Sequence, residues 1–338
     1  MAPAFDARSV EAYGPMMAET IAEFAGAWRD GEVIDVNQAM ADLSLRLISR
    51  AMFSGAGEGL GPLMGQTLRR TDAILGDFGL ADFLPGLGQA RGWLRLRRIR
   101  RGFAELDDAL MRLIAARRRL PGPGDLLDRL IDGLDPASGQ GLNDDQVRDQ
   151  LVTLFVAGHE TTAVAMTWTW WLLAQEPGVE ARLRAAIEAS PAPPPYARWV
   201  VEEAMRLFPP VPRIPMRRAE AADAICGATI PAGTYVIVAP WVLHRHQRLW
   251  DAPDAFDPDR FSPERSAGRP RFAYLPFGAG PRICIGAGLA MREAVLILCG
   301  LARRWRLVPA GGTPAMTPRM TLRPRGPMWM TLKALTAR

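Results

Sequence analysis

The stretch Phe277-Gly-Ala-Gly-Pro-Arg-Ile-Cys-Ile-Gly286 decides how the rest of the chain is interpreted. Its three glycines and its proline predict a turn-rich loop. We expect an apolar helix to follow, from Ala287 to about Trp305. Cys284 would then lie near backbone N–H groups and a helix N-terminus, both of which stabilise a thiolate. The stretch predicts a cysteine that serves as an ionised metal ligand; the alternative is a buried free cysteine at a helix start.

A second unusual stretch lies in the middle of a long predicted helix, which runs from Asn143 to about Glu176. The helix is apolar nearly all round from Leu151 to Leu173, so we expect it to be buried centrally. Its middle reads Ala-Gly-His-Glu-Thr-Thr over 157–162. A glycine leaves space for a flat partner, and a threonine can hydrogen-bond back to the backbone. These residues predict a kink with a polar pocket; the alternative is a kinked helix whose polar groups are satisfied within the protein.

The pattern F-x-x-G-x-R-x-C-x-G over 277–286 resembles the haem-binding loop of the cytochrome P-450 superfamily. The resemblance implies that Cys284 is the axial iron ligand of a haem b. It also implies that Arg282 contacts a haem propionate and that Phe277 packs beside the thiolate. Gly278, with the other glycines of the loop, would let the backbone approach the sulfur and the porphyrin closely.

The segment over 157–161 resembles the [AG]-G-x-[DE]-T signature of the same superfamily. The resemblance implies that Glu160 and Thr161 relay protons to iron-bound dioxygen. Ala157 and Gly158 would lie against the distal haem face. The neighbouring His159 could instead suggest zinc, but the spacing H-E-x-x-H is not met, and we expect this histidine to be structural.

Two further motifs follow in the family's order. Glu203-x-x-Arg206 and the later Pro258-Asp-Arg260-Phe resemble the E-x-x-R and P-x-R-F pair, which implies a buried Glu–Arg–Arg network. We also assign His244 a structural role. In the family, a second propionate contact comes from an arginine in the segment that follows the E-x-x-R motif. Three residues compete for this role here: Arg213, Arg217 and Arg218.

Composition limits the function classes. The net charge is +5 and every basic residue except Lys333 is arginine, a bias typical of coding composition, so we predict no nucleic-acid partner. The basic residues either form ordinary solvated faces, the interpretation that we favour, or suit an acidic electron-donor protein. Three cysteines at irregular spacing indicate a reducing compartment, with Cys226 and Cys299 as small core residues. No apolar stretch reaches about 18 residues, so we expect a cytoplasmic, bacterial protein.

The remaining segments are assigned more coarsely. Gly76 to Gly92 predicts a loop, either an ordinary surface loop or a lid or membrane-touching patch, and a basic helix follows from about Trp93 to Arg119. The region 211–238 predicts a small mixed β-region. Residues 308–333 predict a C-terminal hairpin lining a pocket. The family's preceding N-terminal region is not in this sequence, so we expect residues 1–338 to be one truncated haem-thiolate domain, and a membrane anchor in the missing part stays open.

These observations predict a mostly α (α+β) fold of cytochrome P-450 type. The predicted function is a haem-dependent monooxygenase that inserts one atom of O₂ into a small apolar organic substrate. Electrons would come from NAD(P)H through a separate ferredoxin or flavin reductase, because no dinucleotide fingerprint follows a strand. The alternatives are a peroxide-using enzyme of the same fold and a haem-binding or inactive remnant.

Overall fold

The computed structural model describes residues 5–54, 59–76, 87–120, 122–135 and 138–335. These residues form a mostly helical protein with small antiparallel sheets. The helices are α1 (Ala7–Ala12), α2 (Gly14–Gly26), α3 (Val36–Phe53), α4 (Leu60–Gly76), α5 (Leu87–Arg119), α6 (Leu126–Asp132), α7 (Asp144–Gln175), α8 (Pro177–Glu188), α9 (Pro195–Leu207), α10 (Pro240–Leu243), α11 (Pro263–Ser266) and α12 (Ala287–Ala302). The strands are β1 (Val33–Asp35), β2 (Arg217–Arg218), β3 (Asp223–Ile225), β4 (Ala228–Ile230), β5 (Tyr235–Val236), β6 (Trp305–Pro309), β7 (Met316–Pro318), β8 (Leu322–Pro324) and β9 (Trp329–Ala334).

The chain divides into two compact units. The first comprises Met1–Met16 and Ser44–His159, and the second comprises Met17–Leu43 and Glu160–Arg338. The helix α7 is continuous across the division at residue 159. The prediction of one domain over 1–338 stays a prediction.

The first unit is a helical assembly with its own apolar core. Side chains from α3 to α7 form that core, including the fully buried Phe53, Leu110 and Phe155. A buried ion cluster closes the turn between α5 and α6, where Arg117 pairs with Asp125 at 3.0 Å and with Asp128 at 2.6 Å. Asp125 also caps α6 by accepting a hydrogen bond from the amide of Asp128.

The second unit combines helices with the sheets. Strand β9 pairs antiparallel with both β1 and β6, and Thr331 faces Val33 on one side and Val308 on the other. Two-stranded antiparallel pairs form between β2 and β5, β3 and β4, and β7 and β8. The buried half of α7, from Thr162 to Trp170, belongs to this unit. Across the described ranges, every helix falls short of the length and apolarity that a membrane crossing requires.

The predicted elements largely match these bounds, with four differences. Helix α7 is only partly buried over 156–161, where the polar residues His159, Glu160 and Thr161 interrupt its apolar surface. Helix α5 begins at Leu87, so 87–92 are helical rather than loop, and 77–86 lie outside the described residues. Helix α12 ends at Ala302 and Trp305 opens strand β6. Cys226 is exposed in a turn with φ +49°, so its assignment to the core is wrong, whereas Cys299 is buried as predicted.

Candidate functional site: the Cys284 loop and the centre of helix α7

The segment 277–286 folds into a tight loop in the second unit. The amide of Cys284 donates a hydrogen bond to the carbonyl of Phe277 at 2.9 Å and so closes the loop. Gly278 and Gly280 adopt φ values of +73° and +71°, which a side chain would disfavour. Residues Gly280–Arg282 form a single 3-10 turn, and helix α12 starts three residues after the cysteine.

The backbone N–H of Gly286 lowers the pKa of the Cys284 thiol, but desolvation by the surrounding loop raises that pKa by more, although the residue is exposed to solvent. The pKa of Cys284 is therefore raised, whereas we expected the loop and the helix N-terminus to lower it and so to favour the thiolate. A metal ion bound at the sulfur would supply the missing charge, because a cation displaces the proton from a coordinating thiol. The flanking side chains of Ile283 and Ile285 are exposed, and Arg282 is exposed beside them.

The base of the loop is held by a buried histidine. The Nε2 atom of His244 accepts a hydrogen bond from the amide of Leu275 at 2.8 Å, two residues before Phe277. Burial, together with the charges of Arg206 and Arg245, lowers the pKa of His244 to about 4. His244 is therefore neutral and accepts at Nε2, which confirms its predicted structural role.

The predicted Glu–Arg–Arg network is confirmed. The carboxylate of Glu203 accepts hydrogen bonds from both Arg206 Nε at 2.7 Å and Arg206 Nη2 at 2.8 Å, and both residues are fully buried. Arg260 approaches the same carboxylate at 3.3 Å, and the amide of Asp257 donates to it at 2.9 Å. Burial raises the pKa of Glu203, and Arg206 opposes that rise. The remaining guanidinium donors of Arg206 reach the carbonyls of His244, Pro253 and Ala255.

Of the predicted site residues on α7, Ala157 and Gly158 lie in the first unit. Ala157 is exposed. A Cβ added to Gly158 would meet Cδ1 of Ile48 at 3.2 Å, so tight packing between α3 and α7 is one physical reason for glycine here. His159 stacks on Phe155 with ring centroids 6.0 Å apart, in keeping with the structural role expected of it.

Glu160 and Thr161 begin the second unit's part of the helix. The Oε1 atom of Glu160 accepts a hydrogen bond from Nε of Arg323 at 2.6 Å and another from the hydroxyl of Thr321. These partners were missed from the sequence, because about 160 residues separate them from Glu160 and no local pattern links them. Within the described residues, the buried hydroxyl of the next residue, Thr162, has no hydrogen-bond partner.

The three arginines that compete for a second anionic contact are all exposed on or beside the β2–β5 pair. Arg217 and Arg218 form β2, and Arg213 precedes it. Arg217 donates to the carbonyl of Pro215 at 3.4 Å. All three arginines therefore stay candidates for the second propionate contact.

Comparison with known proteins links both the fold and the motifs of this chain to one protein family. A family model described as cytochrome P450 matches residues 9–331. The cyclooctat-9-en-7-ol 5-monooxygenase of Streptomyces melanosporofaciens is 36% identical over 328 residues, which cover 92% of this chain and 70% of that protein. The pentalenene oxygenase of Streptomyces avermitilis is 32% identical, with 91% and 70% covered. The crystal structure of the cytochrome P450DA heme domain superposes with a TM-score of 0.87 at 27% identity, covering 99% of this chain and 76% of that one.

The architecture is therefore that of a P450 haem domain. The chain belongs to the cytochrome P450 family. As a member it is a haem-dependent oxidoreductase of the monooxygenase class, and its cofactor is haem b.

The residues of the second unit fit that cofactor. A thiol lies at the end of a loop whose neighbouring Ile283 and Ile285 expose apolar surface suited to a porphyrin. The exposed Arg282 guanidinium on the same loop suits a propionate. The amide of Gly286 directed at the sulfur is a donor typical of cysteine thiolate ligation.

Proposed function

We propose that this protein uses Cys284 to hold a haem b and inserts one atom of O₂ into an apolar organic substrate. The observation that carries the proposal is the Cys284 loop, which presents a thiol with a backbone N–H donor between exposed apolar side chains. When bound, the haem iron supplies the centre at which O₂ is reduced and one oxygen atom is transferred. The balance is substrate R–H, O₂, NAD(P)H and H⁺ giving R–OH, H₂O and NAD(P)⁺.

Each residue of the loop has a defined task in this proposal. The thiolate of Cys284 would hold the iron and supply it with electron density. The guanidinium of Arg282 would pair with a propionate, and Phe277 would pack beside the sulfur. Gly278 turns the chain with positive φ so that backbone rather than side chain approaches the cofactor.

The centre of α7 supplies protons. Glu160 takes up a proton from solvent at its carboxylate, and the hydroxyl of Thr161 passes a proton into the pocket for release of water. The methyl group of Ala157 and the absence of a side chain at Gly158 would let a flat group approach this part of the helix.

The substrate class is proposed from the relatives. Their names denote substrates that are largely hydrocarbon, one an alkene and one an alkene bearing a single hydroxyl. We propose a small, mostly apolar alkene for this chain. Electrons would come from NADPH through a separate ferredoxin or flavin reductase, whose acidic surface suits a chain of net charge +5.

The test is oxygen labelling. The haem-loaded protein is incubated with NADPH, a ferredoxin with its reductase, pentalenene as test alkene and ¹⁸O₂. We expect one ¹⁸O atom in a hydroxylated product, and a Thr161→Ala variant that consumes O₂ but releases more peroxide per turnover. Label that enters only from H₂¹⁸O₂ would support the peroxide-using alternative. Haem binding without any oxygen transfer would support the inactive remnant.

A further inference from the structure

The carboxylate of Glu160 is held by the C-terminal hairpin of β7 and β8. Arg323 forms an ion pair with Oε1 at 2.6 Å, and the hydroxyl of Thr321 donates to the same oxygen. Arg323 Nε also lies 3.2 Å from the hydroxyl of Thr321, so the three polar groups form one cluster. Both of these contacts fall on the same oxygen, Oε1.

The hairpin residue between these two partners is itself fixed. The carbonyl of Leu322 accepts a hydrogen bond from the indole Nε1 of Trp168 at 2.7 Å. Its amide donates to the carbonyl of Pro210 at 2.9 Å. Trp168 is buried on α7 two helical turns beyond Glu160 and stacks on Phe208 with centroids 4.1 Å apart. Side chains at 321 and 323 therefore come from backbone anchored to the same helix that carries Glu160.

An ion pair between side chains that are 29% and 26% exposed contributes little to stability on its own. The arrangement is better suited to position a carboxylate, because an arginine and a hydroxyl on an anchored backbone define where one oxygen lies. We propose that Arg323 and Thr321 are positioning residues that hold Glu160 for proton delivery, so that the hairpin controls the relay. This inference rests on the proposed role of Glu160.

The consequence is a hierarchy between the residues. Loss of Glu160 removes the relay, whereas loss of Arg323 lets the carboxylate move and lowers its efficiency. Arg323 acts only through Glu160, so changing both should have no more effect than changing Glu160 alone. Arg325 on the same hairpin is exposed and provides a matched control.

The experiment uses the haem-loaded enzyme with NADPH, the electron-donor proteins and pentalenene, and measures peroxide released per O₂ consumed. We expect Glu160→Gln and Arg323→Gln each to raise this ratio and to slow product formation, Arg323→Gln by about tenfold. Arg323→Lys should restore most of the loss, Arg325→Gln should match wild type, and the double Gln variant should equal Glu160→Gln. A wild-type peroxide ratio for Arg323→Gln, or a double variant that releases more peroxide per O₂ than Glu160→Gln, would overturn the proposed positioning role of Arg323.

A second measurement is independent of turnover. Amide hydrogen exchange at 321 and 323 should be faster in both Glu160→Gln and Arg323→Gln and unchanged in Arg325→Gln. The first two variants remove the side-chain contacts that hold these residues to Glu160, while Trp168 and Pro210 still anchor Leu322. Should Glu160→Gln leave the peroxide ratio unchanged, the proposed proton relay fails. The positioning role of Arg323 and Thr321 is then judged by amide hydrogen exchange alone. Unchanged exchange in Glu160→Gln and Arg323→Gln rejects it.

Discussion

The amide of Leu275 donates a 2.8 Å hydrogen bond to Nε2 of His244, a histidine with no exposed surface. This bond joins the end of α10 to the segment that enters the Cys284 loop. It requires a neutral imidazole, and burial beside Arg206 and Arg245 keeps the imidazole neutral by lowering its pKa to about 4. The position of the loop is thereby linked to the protonation of one buried side chain.

The first prediction concerns pH. The native pKa of His244, about 4, lies below its ordinary value of 6.5, so the unfolded chain takes up the proton first. The stability from this group is complete above about pH 6.5 and is lost as the pH falls toward about 4, a difference of about 3 kcal/mol. The free energy of unfolding is measured for wild type and His244→Gln at pH 7 and pH 4.5. Wild type should lose more on acidification, whereas an equal loss in both proteins would contradict the prediction.

The second prediction concerns the buried network. Glu203→Gln leaves the fully buried Arg206 without its counter-charge, and we expect it to lower the free energy of unfolding by about 3–5 kcal/mol. The control is Glu202→Gln on the same helix, whose partner Arg198 is largely exposed. That change should cost less than about 1 kcal/mol. The free energy of unfolding of wild type and both variants is measured by chemical denaturation. Similar losses in Glu203→Gln and Glu202→Gln would contradict the prediction that the buried pair contributes more.

The third prediction concerns packing between α2 and α12. A Cβ added to Gly300 would lie 2.6 Å from Cγ2 of Ile21, a branched methyl close to its own backbone that has little freedom to move. Gly300→Ala should therefore destabilise the protein by about 1–3 kcal/mol. Gly102→Ala on α5, where a Cβ meets no atom within 4 Å, should instead stabilise it by up to about 1 kcal/mol. Thermal unfolding of the two variants should shift in opposite directions.

Much of this molecule could be predicted from short patterns. The N-cap of α6 is of this local kind, because Asp125 accepts a hydrogen bond from a residue only three positions later. The approximate bounds of α7 were predicted from its run of apolar residues in the same local way. The Glu203–Arg206 pair lies within one turn of a helix, so its contact is local, and only the motif resemblance pointed to Arg260.

What could not be predicted depends on contacts distant in sequence. The partners of Glu160 come from a hairpin about 160 residues later, and the indole of Trp168 finds its acceptor 154 residues away. Gly158 was assigned to the approach of a flat partner, and its contact with Ile48 on α3 could not be inferred from one helix. The turn at Cys226 was misjudged because a cysteine is usually buried, whereas this one adopts a left-handed conformation at a surface turn.

The most direct test of the central claim is the carbon monoxide difference spectrum of the dithionite-reduced, haem-loaded protein, recorded beside Cys284→Ser. The control Cys299→Ser removes a buried thiol on α12 and leaves the loop unchanged. We predict a strongly red-shifted Soret band in wild type and Cys299→Ser, and its loss in Cys284→Ser, because only a thiolate ligand shifts the band in this way. A red-shifted band that persists in Cys284→Ser, or its absence from haem-loaded wild type, would contradict the assignment of Cys284 as the iron ligand.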